Sequence, residues 1–193
     1  MLLLTILWVI FFALHSLLAG TRVKRYAETL LGRYIIYYRL GYNVFATAFL
    51  LAVLYVMFTA PIVYLFKPGI IIKATGLALM LAGLVIMLLA FRNYDLAEFT
   101  GIKQLAQKIH HPEKLMVTGL NRYVRNPLYT GIIVFGAGWL LFMPTQVNLL
   151  SIVILYVYIY IGTLLEERKL EQVFGNDYRK YQKEVKMLIP FIF

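Results

Sequence analysis

The chain has 193 residues, 62% of them hydrophobic and 15% charged, with a formal net charge of +10. So apolar a composition leaves too little polar surface to cover a soluble fold of this size, and an all-α integral membrane protein is expected. The lack of cysteine excludes disulfides, thiolate metal ligands and a cysteine nucleophile, while the basic residues flank apolar runs instead of forming one stripe, which favours lipid headgroups over nucleic acid as their counter-charge.

In chain order, five apolar stretches approach the roughly 20 residues that a helix needs to cross hydrocarbon. The first, Leu2 to Ala19, has no basic residue before it and no small-residue cleavage site, so a retained anchor is expected and not a signal peptide. The second and third run from Tyr42 to Leu65 and from Ile70 to Phe91. Between Leu96 and Met116, Ile102, Leu105, Ala106 and Ile109 fall at helical spacing among polar residues and predict a short interfacial helix. It ends near His110, because His111 precedes Pro112. The fourth stretch, Leu128 to Phe142, is short and borrows Tyr129 and Trp139 as interfacial anchors. From the fifth, Leu149 to Leu165, the helical spacing carries on in i,i+4 steps to Leu170, Phe174 and Tyr178, with an interruption at Gly175.

Charge sets the expected orientation. Of the 19 basic residues, 17 lie in the two long connections and the tail, and only Lys67 and Lys73 fall on the other side. The positive-inside rule then puts the N-terminus outside and the C-terminus in the cytoplasm. The whole chain, 1–193, reads as one domain, with a three-span part over 1–91 and a cofactor-binding part over 92–193. Gly76 and Gly83 in the third span, and Gly136 and Gly138 in the fourth, predict close helix contacts. No strand leads into a G-x-G-x-x-G turn, and no H-E-x-x-H or His and carboxylate cluster points to a metal.

The segment Arg125 to Gly131 reads R-N-P-L-Y-T-G and is answered by the adjacent carboxylates Glu166 and Glu167 at the foot of the last span. Ionisable groups beside hydrocarbon are costly and mark a functional site by default. A purely structural ion pair at the membrane surface is the other reading of the same residues.

The order G-L-N-R-Y-V-R-N-P-L-Y-T-G from Gly119, E-E-R-K-L from Glu166, F-G-N-D-Y-R-K-Y from Phe174 and V-K-M-L-I-P from Val185 resembles the C-terminal motifs of membrane methyltransferases. That group includes isoprenylcysteine carboxyl methyltransferases and phospholipid methyltransferases. His15-Ser16, Tyr38-Arg39, Tyr42-Asn43 and Asp95 with Gly101, Lys103 and Gln104 are similar to the branch that contains methanethiol S-methyltransferase, nurim and NnrU-like proteins. The resemblance implies S-adenosylmethionine as cofactor, entering from the cytosol, and a methyl acceptor arriving from the bilayer or the cytosol. A small thiol is the expected acceptor, with an isoprenylcysteine carboxylate or a phospholipid amine as alternatives. A non-catalytic scaffold like nurim is the rival implication. Neither nucleic acid nor a metal is expected, and the oligomeric state is left open.

By the same resemblance, Arg125, Asn126 and His15 are the candidate catalytic residues. The candidate cofactor contacts are Tyr123, Arg125, Asn126, Pro127, Tyr129, Glu166, Glu167, Phe174, Tyr178 and Tyr181. Glu166 and Glu167 suit the cationic or hydroxyl groups of such a cofactor, Arg125 or Arg122 its carboxylate, and Tyr129, Phe174, Tyr178 and Tyr181 its adenine. One position departs from the pattern. The family's histidine in R-H-P is Asn126 here, which keeps hydrogen-bonding capacity and loses a titrating ring.

Overall fold

The computed structural model describes residues 1–92 and 115–190. The predicted interfacial helix, apart from Leu115 and Met116, falls outside them, as do Asp95, Gly101, Lys103, Gln104, His110 and His111. Regular structure among the described residues is helical throughout, save for two isolated bridges. The described chain divides into two compact units, residues 1–61 and residues 62–92 with 115–190.

The first unit contains α1 (Leu2–Ala19), α2 (Thr21–Leu31), a 3-10 turn (Gly32–Tyr37) and α3 (Tyr38–Thr59). α1 and α3 meet through aromatic rings. Trp8 stacks on Phe12 with centroids 5.2 Å apart, and Phe11 meets Phe49 edge-on at 5.8 Å, both favoured ring geometries. α2 replaces the plain connection expected between the first two spans. Its Val23, Ala27 and Leu30 share one side and its Arg22, Lys24, Arg25 and Glu28 lie between them, the pattern of an interfacial helix. α3 stops at Thr59, short of the expected Leu65, because Pro61 holds Ala60 in an extended conformation (φ −66°, ψ 148°).

The second unit contains α4 (Ile70–Phe91), a 3-10 turn (Gly119–Arg122), α5 (Pro127–Phe142), α6 (Gln146–Phe174) and α7 (Asn176–Glu184). The third span therefore packs with the C-terminal elements, whereas the sequence grouped it with the first two. The reason is a pair of glycine repeats at heptad spacing. A Cβ added to Gly76 would stand 2.7 Å from the Gly138 carbonyl oxygen, and one on Gly83 would stand 2.7 Å from that of Gly131. The pairs match in reverse order, so α4 and α5 run antiparallel with their backbones touching over two turns. Gly136 serves a different neighbour and admits the Tyr156 ring of α6.

At one end of this unit the Leu65 amide donates to the Pro144 carbonyl (2.8 Å), and the Gln146 amide to that of Val63 (3.0 Å). The Thr145 hydroxyl caps α6 by accepting from the Asn148 amide. At the other end α6 outruns its apolar stretch. Glu166 is reached after about 30 Å of helix, the thickness of a hydrocarbon core. α6 then continues to Gly175, whose positive φ of 54° ends it.

α1, the stretch from Arg22 to Thr59 that contains α3, α4 and α6 are long and apolar enough to cross a membrane. α5 is apolar but has only 16 residues. The protein is thus an integral membrane protein with, among the described residues, four such helical stretches and one shorter apolar helix.

Candidate functional site

The chain enters α5 through Val124, Arg125 and Asn126, and this stretch is paired to the tail that follows α7. Val124 bridges Lys186 in parallel. The Arg125 amide donates to the Lys186 carbonyl (2.8 Å) and the Asn126 amide to that of Met187 (3.2 Å). Pro127, fully buried, opens α5 at a position where its missing N–H costs nothing. The Thr130 hydroxyl donates to the Leu188 carbonyl at 2.7 Å. Backbone groups from Val185 to Leu188 thus hold the turn that carries the charged residues.

Arg125 and Glu167 form a bidentate pair. Nε donates to Oε1 at 2.7 Å and a terminal nitrogen donates to Oε2 at 2.9 Å, with the two side chains about one-tenth exposed (10% and 9%). The other terminal nitrogen donates to the Gln182 and Val185 carbonyls. Glu167 also accepts from Asn126 Nδ2 at 3.3 Å and from Gln182 Nε2 at 3.2 Å. Its oxygens are therefore occupied by protein donors, and the two charges cancel in place.

Asn126 is fixed by the same network. Nδ2 donates one hydrogen to Glu167 Oε1 and the other to the Met187 carbonyl (3.3 Å). Exchanging oxygen and nitrogen would set the amide oxygen against a carboxylate and a carbonyl, so the network dictates the orientation. With both hydrogens engaged, Asn126 has its carbonyl oxygen left for a ligand.

Glu166, on the neighbouring position of α6, is exposed and accepts from the Tyr129 hydroxyl at 3.1 Å. It lines a cleft of about 180 Å³ together with Arg125, Asn126, Leu170, Phe174, Tyr178 and Tyr181. A second cleft of about 430 Å³ shares Leu115 and Tyr181 with the first, and Asp177 and Lys180 stand on its wall. Tyr178 is 1% exposed and Tyr181 7%, so they form the floor between α6 and α7. The Tyr181 hydroxyl donates to the Asn121 carbonyl. Burial pushes both phenols up, and the Glu167 charge adds to the rise at Tyr178.

The second unit therefore brings together Arg125, Asn126, Pro127, Tyr129, Glu166, Glu167, Phe174, Tyr178 and Tyr181. Tyr123 stands apart from that cleft: it is 58% exposed and lines a separate one beside the end of α4. His15 belongs to the first unit, where the Tyr42 hydroxyl meets its Nδ1 at 2.9 Å. Asn121, Thr130, Gln182 and the tail carbonyls were not singled out by sequence reasoning. Their positions within or beside the motif segments are the only signal that could have found them, since backbone acceptors have no residue code.

Residues 71–177 match the family model described as "Phospholipid methyltransferase". Across 96% of its length the chain is 30% identical to methanethiol S-methyltransferase 1 of Bradyrhizobium diazoefficiens and covers 65% of that protein. It is 32% identical over 60% of its length to the methanethiol S-methyltransferase of Crocosphaera subtropica, covering 46% of it. Over 49% of its length it is 24% identical to protein-S-isoprenylcysteine O-methyltransferase B of Arabidopsis thaliana, covering 47% of that protein. The chain thus spans less than two thirds of the length of these relatives. No solved structure matches it significantly.

Proposed function

Because the chain belongs to the phospholipid methyltransferase family, we propose that it is a membrane methyltransferase that uses S-adenosylmethionine and acts on a small thiol. The observation that carries this reading is the polar inventory of the cleft beside α6. Arg125 also lines the cleft, but Glu167 neutralises it, so the unpaired charge that faces a ligand is the Glu166 carboxylate, with the Asn126 amide oxygen beside it. Both are acceptors. Such a cleft selects a cation or a donor-rich ligand, and S-adenosylmethionine carries a sulfonium, an ammonium and two ribose hydroxyls. Leu170 and Phe174 supply apolar surface for the adenine, and Lys180 on the adjoining wall supplies a cation for the carboxylate.

When bound, the cofactor supplies a methyl group on a sulfonium, whose transfer forms a carbon–sulfur bond to the acceptor as the old one breaks. The chain's own part is to bind and orient. Asn126 does so with a fixed, non-titrating oxygen where the family's usual residue is an imidazole. The thiol acceptor is argued from the relatives named for methanethiol.

The test is transfer of a labelled methyl group to methanethiol by the purified protein. Wild type should be active. Asn126→His should retain activity and acquire a pH dependence from the imidazole. Asn126→Leu should lose roughly ten- to a hundredfold, as for a hydrogen bond to a charged group. Background rates in wild type and Asn126→His alike, with thiol, prenylcysteine and lipid amine acceptors, would contradict the reading in favour of a scaffold.

A further inference from the structure

A third cleft, of about 490 Å³, lies in the second unit where α4 ends and the 3-10 turn begins. Leu89 and Arg92 line it from α4, and Leu120, Arg122 and Tyr123 from the turn. Neither arginine makes an ion pair among the described residues, and no described carboxylate lines the cleft that the two guanidinium groups share. Like charges so placed repel, and an anion between them relieves the repulsion. Arg122 also borders the cleft beside α7.

The apolar surface leading to this cleft says what kind of anion it takes. On α4, Leu77, Leu81, Leu84, Val85 and Leu88 are between 42% and 58% exposed. Their spacing puts them on one face that runs along the helix to Arg92. This face points away from the one that Gly76, Gly83 and Ala90 bury. A soluble anion has no use for such a stripe, whereas an acyl chain does. The end of a membrane-spanning helix is also where lipid phosphates sit, and exposed Tyr123 is an aromatic suited to that level. Two guanidinium groups would repel the ammonium of a zwitterionic headgroup.

We propose that this cleft holds the phosphodiester of an anionic glycerophospholipid between Arg92 and Arg122, with an acyl chain along the leucine face of α4. The site is separate from the Glu166 cleft, and its occupancy does not depend on methyl transfer.

The test uses wild-type protein in phosphatidylcholine nanodiscs with a photoactivatable phosphatidylglycerol, the cross-links being mapped by mass spectrometry. Cross-links should concentrate on 85–92 and 119–123. Phosphatidylglycerol should compete for them, while phosphatidylcholine and inorganic phosphate should not. Replacing both arginines (R92Q with R122Q) should weaken phosphatidylglycerol retention by roughly 30-fold, the effect of two basic residues at a lipid surface. The charge-matched change at the other end of α4 (K67Q with K73Q) should leave it unaltered. Competition by inorganic phosphate would show a simple anion site, and equal competition by phosphatidylcholine or equal loss in the lysine variant would show unspecific lipid contact. Each overturns the proposal. Should the double glutamine variant not fold, the cross-link map and the competition series on wild type still decide it.

Discussion

Removing Glu167 would leave the Arg125 guanidinium nearly buried without its carboxylate, and would free Asn126 and Gln182 from the group that orients them. Glu167→Ala should therefore lower stability by about 3 kcal/mol, the cost of breaking a buried pair, whereas Glu166→Ala should lower it by less than about 0.5 kcal/mol, as for an exposed position. Denaturant unfolding in detergent compares them, and equal losses would remove the distinction. The two carboxylates were legible as a site, because charges beside apolar spans are few. Their separate roles were not, since neighbouring helical positions point about 100° apart and only the packing of the tail decides which one turns inward. The same holds for Asn126. Its departure from the family pattern could be read, but the amide orientation that leaves only its oxygen free depends on Met187, 61 residues away.

At the scale of elements, the backbone contact between α4 and α5 is the feature most open to attack. A Cβ on Gly83 would meet the Phe135 amide nitrogen at 2.5 Å, a backbone atom that cannot rotate aside. Gly83→Ala should cost at least about 2 kcal/mol, in the range for overpacking. Gly41→Ala on α3 meets nothing within 4 Å, so it should be neutral or stabilising by up to about 1 kcal/mol. Thermal unfolding of both variants checks this. The repeats at 76, 83 and 138 were visible in sequence, but Gly131 was hidden inside the R-N-P-L-Y-T-G segment, and which repeats pair is a matter of tertiary order. Helix α7 invites a second test, because it docks through Tyr178 and Tyr181, whose phenols burial raises. A raised folded value means stability is fully present below the unfolded tyrosine value of about 10 and is lost as pH rises above it. In the phenolate absorbance these two tyrosines should ionise after the exposed ones and together with unfolding. Ionisation of all tyrosines in the folded protein near pH 10 would contradict the docking.

For the whole molecule, composition alone announced a membrane protein, and the apolar stretches located four long helical spans. Helix α5, at 16 residues, reaches only about 24 Å and packs through its glycines against the longer α4. Helix α2 was not legible, because its basic residues read as charge bias before they read as one face of a helix. The account's central claim is that the acceptor-lined cleft of the second unit binds the methyl donor, and titration calorimetry with S-adenosylmethionine tests it most directly. Wild type should bind saturably at one site per chain, and Glu166→Gln should bind at least roughly tenfold more weakly, for the loss of a charged hydrogen bond, while its unfolding midpoint stays unchanged. Absence of saturable binding by the folded wild type, or wild-type affinity in both Glu166→Gln and Asn126→Leu, would contradict it.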